Sequence, residues 1–302
     1  MPPWLRRAAP VLVSAGALAV VFLQVEAAEL FRLLSWRIAA VVGPALLVYA
    51  GATLVLEAVS LRHLLGARVG YWTAARVKCA SYLLGILHYG LGLAALSVLL
   101  QRRAGSSLGE AASAVLLIGS VDVALVLAVA AVASGFVETG TALSAWVVLA
   151  VLLGFVGGLF LLRFPRSLGP LERIRSLAVF ESMREVPLRT LIELLALRML
   201  FSACYVAVCA SVFVAFRVEP PLALLIAGIL IVTLVAALPI AVAGLGTSQL
   251  AMLAVFRGYA DPETLVAMSL SLSVGLAALR AGMGLLFARE FAREALVGTR
   301  RA

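Results

Sequence analysis

Apolar runs of membrane length alternate along this chain with short basic or glycine-rich interruptions, a pattern that predicts helices rather than strands. The runs fall at 8–25, 38–60, 79–100, 106–133, 141–162, 191–216, 219–257 and 265–288. Two of them are internally broken. In the stretch 219–257, Pro239 and the glycines Gly244 and Gly246 interrupt an otherwise apolar sequence. Proline removes a backbone donor and fixes φ, while glycine permits φ > 0, so a continuous helix is expected to end there and a second, shorter one to begin. Backbone freed at membrane depth persists only when it is buried in protein or lines a wet cavity. A broken hairpin satisfies that condition; the simpler alternative is an extramembrane loop joining two short spans. The stretch 73–101 has the same character, with its turning point expected at His88–Gly92, through Gly90 and Gly92.

The flanks of the runs set a topology. Arg62, His63, Arg68, Arg76 and Lys78 form one basic cluster, Arg102 and Arg103 a second, residues 163–189 the largest, and Arg289, Arg293, Arg300 and Arg301 a tail. By the positive-inside rule these lie on the cytoplasmic side, as do Arg6 and Arg7, whereas the loop at Glu138 carries no basic residue and faces outward. Within 163–189, Leu171, Ile174, Leu177 and Ala178 recur at helical spacing, which predicts an amphipathic helix on an anionic leaflet. The start of the chain also fits a signal peptide. Val25-Glu26-Ala27 is a poor cleavage site, so a retained first span is preferred, followed by an interfacial segment at 26–37 with Trp36 at head-group level.

The expected fold is therefore an all-α polytopic membrane protein, one integral membrane domain over 1–302, with about six full transmembrane helices plus two re-entrant hairpins. Each half, 1–140 and 141–302, reads span, span, hairpin, span. The halves start on opposite sides of the membrane, which makes an inverted repeat, and Gly/Pro-broken segments at matching places point to a central site. Gly154 and Gly158 offer a small-residue face for helix packing.

Composition narrows the function classes. Of 302 residues 64% are hydrophobic and 13% charged, against about half and about a quarter in soluble domains. The net charge of +9 is accounted for by span flanks and anionic lipid, with no nucleic acid required. Lysine is nearly absent, while Ala and Gly abound, a bias that suggests a GC-rich bacterial genome and hence the cytoplasmic membrane. Cys79, Cys204 and Cys209 lack a CxxC spacing, and His63 and His88 stand far apart, so neither a metal site nor a cofactor is expected. No HExxH, Ser/His or Cys/His pairing or Walker motif occurs, and an enzyme is not expected.

Charges within the runs are the remaining chemistry. Asp122 falls near mid-depth, and Arg198 and Arg280 lie nearer the cytoplasmic leaflet. Such residues are costly in a bilayer and mark functional sites by default. In one reading Asp122 pairs with one arginine while the other meets a phosphate head group through its planar donors. In the other, the pair locks helices together or the arginines snorkel. Glu57 and Glu193 read as interfacial. Arg76 and Lys78 either gather anionic head groups or set topology.

The segment Pro239-Ile240-Ala241-Val242-Ala243-Gly244-Leu245-Gly246-Thr247-Ser248-Gln249 resembles a signature of the lysylphosphatidylglycerol synthase transmembrane-region, or flippase-like, family. The stretch from Arg102 to Asp122 looks like that family's other recognisable region. Gln249 stands where the family usually has Glu, and Gly119 where an Arg often precedes the Asp; 90–100 lacks the usual Pro and charges. The resemblance implies movement of an anionic or aminoacylated phospholipid, or a lipid-linked group, between leaflets. The residues expected at the head group are Asp122, Arg198 and Arg280, from their charge within the runs, and Gln249. The alternative, favoured by the missing charges, is a non-transporting scaffold or regulator for a separate envelope or lipid-modifying enzyme.

Overall fold

Long stretches of Ala, Leu and Val carry few groups that compete with the backbone for hydrogen bonds, so once a helix starts in them little stops it. In the computed structural model, which describes residues 36–87, 89–134, 142–164, 169, 172–237 and 246–298, the elements are helices and turns, with no strand among the described residues. In order they are α1 (Trp36–Leu65), α2 (Tyr71–Leu87), α3 (Tyr89–Ala104), α4 (Leu108–Ser134), α5 (Ala142–Arg163), α6 (Leu188–Ala215), α7 (Leu222–Ala237), α8 (Thr247–Phe256) and α9 (Pro262–Gly298). Among the described residues four helical stretches are long and apolar enough to cross a membrane: Ile38–Arg68, Leu108–Val129, Leu188–Ala215 and Pro262–Phe287. The first expected span, at 8–25, lies outside the described residues, as does the interfacial segment except Trp36 and Arg37, which begin α1.

Helix ends follow local chemistry. Before α4, the Ser107 N–H donates to Glu110 Oε2 at 2.8 Å and the Glu110 N–H to Ser107 Oγ at 3.1 Å, the reciprocal capping box of an S-x-x-E sequence. Before α9, the Thr264 N–H donates to Asp261 Oδ2 at 2.9 Å, with Pro262 in the first turn, where its missing donor costs nothing. Slight burial acts to raise the Asp261 carboxyl, and the Thr264 bond outweighs it, leaving that group below its ordinary value.

In each broken stretch two consecutive helices pack against each other. α2 packs on α3, and a Cβ added at Gly92 would sit 2.7 Å from the Gly85 Cα. Gly90 and Gly92 thus belong to the first turns of α3, and His88, the other end of the expected turning point, lies outside the described residues. Gly92 serves close approach rather than bending. α7 packs on α8, with Gly228 admitting the Phe256 ring. Gly246 has φ 87°, a left-handed value that glycine takes without penalty. Pro239 and Gly244 lie outside the described residues.

The basic segment 163–189 differs from its expectation. The amphipathic repeat does not form one surface helix. Its described part comprises short turns at Glu172–Arg175, Ala178–Phe180 and Glu181–Glu185. Arginine donors hold the segment in place: Arg163 Nε donates to the Met183 carbonyl at 2.8 Å and its Nη2 to the Val186 carbonyl at 2.7 Å. Arg175 likewise donates to the Phe164 carbonyl. These bonds satisfy carbonyls that a continuous helix would otherwise have used, and Pro187 precludes continuation into α6.

The chain forms two compact units. The first is Met1–Ala50, Asp122–Phe155 and Phe201–Ala277; the second is Gly51–Val121, Val156–Leu200 and Ala278–Ala302. In the first, Phe213 and Phe256 meet edge to face at 4.8 Å, Tyr49 and Tyr205 at 5.7 Å, and Leu46 lies against Gly275. In the second, Trp72 meets Phe287 at 6.1 Å and Leu83 lies against Gly284. Neither Gly154 nor Gly158 has an atom within 4 Å of its missing Cβ among the described residues, so the expected small-residue packing face is not seen there.

Candidate functional site

α6 shows the polarity of a membrane helix. Ile192, Leu195, Met199 and Leu200 are exposed, whereas Leu194 and Arg198 are each 0% exposed. Leu194 and Arg198 are four residues apart and so share the inward stripe. A charge on that stripe must be satisfied by protein, because a buried, unpaired guanidinium is very costly.

The partners come from the second half of α1. Glu57 and Ser60, three apart, lie on one face of that helix. Arg198 Nη1 donates to Glu57 Oε2 at 2.7 Å, and Nη2 to Ser60 Oγ at 2.6 Å and to the Leu56 carbonyl at 3.4 Å. Ser60 Oγ in turn donates a hydrogen bond to the Leu56 carbonyl at 2.8 Å. Lys78 of α2 takes the other oxygen, Glu57 Oε1. One carboxylate, 4% exposed, is therefore held between two cations.

Around Lys78 the positive charge continues. Tyr82 follows it by one helical turn, and the Lys78 ammonium lies 5.7 Å from the Tyr82 ring centroid. The Arg280 guanidinium of α9 lies 5.8 Å from that ring, and Arg76 lies 5.9 Å from the ring of Phe287. The distances suit cation–π attraction. Arg198 is enclosed, but Lys78 is partly accessible and Arg280 is exposed. What this second unit offers chemically is an aromatic-supported cationic face anchored on a buried ion pair. It matches an anion with apolar neighbours. Where α1 ends and α6 begins, His63 Nε2 lies 2.8 Å from Glu193 Oε2, and Arg189 donates to Glu193 at 2.9 Å. Glu193 is thus partly exposed, while Glu57 is buried.

The first unit holds a second polar group, at the start of α8. Thr247, Ser248 and Gln249 are all buried, Gln249 at 0% exposure. The Gly246 N–H donates to Gln249 Oε1 at 2.6 Å, and Ser248 Oγ to the same oxygen at 3.2 Å. Ser248 Oγ lies 3.5 Å from Ser273 Oγ of α9. Asp122 sits half-buried on α4 in this unit.

Of the residues expected at the head group, then, Arg198 and Arg280 fall in the second unit and are linked through Glu57, Lys78 and Tyr82. Asp122 and Gln249 fall in the first. Sequence reasoning passed over Glu57 as interfacial and Lys78 as a topology signal. Two cues were available: the helical spacing of Lys78 to Tyr82 and of Glu57 to Ser60, and Lys78 being the chain's single lysine. Among the described residues no cluster of His, Cys, Asp and Glu is arranged to hold a metal.

No curated protein matches this chain, and no solved structure does. The family model for the lysylphosphatidylglycerol synthase TM region does match, over residues 7–274. Together with the helices of membrane length, that match, which spans most of the chain, makes this multi-pass membrane protein a member of the lysylphosphatidylglycerol synthase TM region family.

Proposed function

We propose that the protein translocates an anionic or aminoacylated phospholipid, or a lipid-linked group, between the leaflets of the bacterial cytoplasmic membrane. The observation that carries this reading is the cationic face of the second unit. Two cations share one buried carboxylate, and Arg280 adds further charge over Tyr82. Excess positive charge within membrane-length helices is expensive unless an anion visits it. A phosphodiester supplies that anion, and arginine suits it through its planar donors. In this reading the hairpins α2–α3 and α7–α8 enter from opposite sides and belong to inverted halves, the arrangement that places a transporter's site between repeats. The chain ends are cytoplasmic.

A second reading has its own support. Arg198 is wholly enclosed by Glu57, Ser60 and the Leu56 carbonyl, which is what a rigid scaffold for an envelope enzyme would need. Reconstitution separates the two. In liposomes holding the purified protein and a head-group-labelled phosphatidylglycerol, a membrane-impermeant quencher should reach nearly all the label if lipid crosses. Only about half is reached if it does not. Half-quenching with every anionic lipid tried, together with an enzyme that co-purifies, would establish the scaffold.

A further inference from the structure

The start of α8 carries a donor whose orientation is fixed. A side-chain amide has one acceptor and one donor end, and its direction is settled by the bonds it makes. Here the Gly246 backbone N–H, 2.6 Å away, requires the oxygen of Gln249. Ser248 Oγ contacts that oxygen as well. The amide nitrogen Nε2 therefore points away from both, and it has no hydrogen-bond partner although Gln249 is 0% exposed. An unmet donor in such a place is costly and calls for an acceptor.

Its surroundings choose the acceptor's charge. α8 is 10 residues long, and its first-turn N–H groups and dipole favour an anion. Thr247 and Ser248 are both buried, with Ser273 of α9 beside Ser248.

The geometry points to a phosphate-type oxyanion site at the N-terminus of α8, read by the Gln249 amide nitrogen. The ligand is a phosphate oxygen, whether in a phospholipid head group or in free phosphate. Because Gln249 presents a donor here, the site selects against a cationic group. The residues of this site belong to the first unit, those of the cationic face to the second. What it predicts is binding, so its failure would leave the transport assay to decide the proposed function.

Gln249→Glu is the discriminating variant. A carboxylate still accepts from the Gly246 N–H, so the helix start keeps its cap, but the donor is replaced by negative charge. With the full chain in detergent, phosphatidylglycerol binding by native mass spectrometry and inorganic phosphate binding by calorimetry should each weaken about tenfold or more. The melting temperature should hold. Loss of lipid binding alone identifies a head-group site, and loss of both a general phosphate site; each supports the proposal. A second readout serves if that variant does not fold. With Gln24→Asn and Gln101→Asn, the Gln249 side-chain amide is the sole glutamine signal in ¹⁵N-glutamine-labelled protein. It should shift on adding phosphatidylglycerol or inorganic phosphate. Unchanged binding in Gln249→Glu, or an amide signal that neither probe moves, overturns the site.

Discussion

Glu57 pairs with two cations, Arg198 and Lys78, and the arithmetic of that arrangement is asymmetric. Removing one partner of a buried ion pair costs about 3–5 kcal/mol, whereas replacing the whole pair with apolar residues of similar size is close to neutral. Glu57→Ala should therefore destabilise the protein by about 3–5 kcal/mol. Glu57→Leu combined with Arg198→Met should recover most of that, with Lys78 extending its flexible stem toward the membrane surface. Thermal melts of the detergent-solubilised protein, followed by circular dichroism, measure both. A double variant as unstable as Glu57→Ala would show that the network is more than a packed pair. Here too the limit of sequence reading is plain. Arg198 was legible as an intramembrane charge, because any arginine inside an apolar run is conspicuous. Its partner was not, since Glu57 is 141 residues away and only the fold brings the two helices together.

Among the elements, the helix pair α2–α3 depends on a backbone contact that no side chain can replace. A Cβ added at Gly92 would lie only 2.7 Å from the Gly85 Cα, and because that atom is backbone, Gly92→Val must push the two helices apart. The expected loss is about 1–3 kcal/mol. Gly258→Ala, where no atom lies within 4 Å, should be neutral, and melts of both variants check the contrast. The two helix pairs were legible as interruptions, because Pro and Gly in an apolar run are strong local signals. The roles of individual glycines were harder to read. Glycine reports both a bend and a close approach, and at Gly92 the close approach applies. The segment 163–189 was misread for a related reason: helical spacing was present, but Arg163 and Arg175 bond its carbonyls and Pro187 halts it.

For the molecule as a whole, long apolar runs gave long helices with little error. The 38–60 run became α1 and the 191–216 run became α6. Orientation was argued from basic residues alone, and it carries the inverted repeat. Arg103→Cys and Glu138→Cys, placed in a chain whose three native cysteines are replaced by alanine, test it in right-side-out vesicles. A membrane-impermeant maleimide should label position 138 and not 103. The same labelling at both positions would place the halves in one orientation. The claim that lipid is moved across the bilayer is tested most directly by head-group selectivity in reconstituted liposomes. The protein should carry phosphatidylglycerol across faster than phosphatidylcholine, and Arg280→Gln, an exposed change that leaves the Glu57 network intact, should reduce that preference. Equal rates for the two lipids, no faster than in protein-free liposomes, would contradict it.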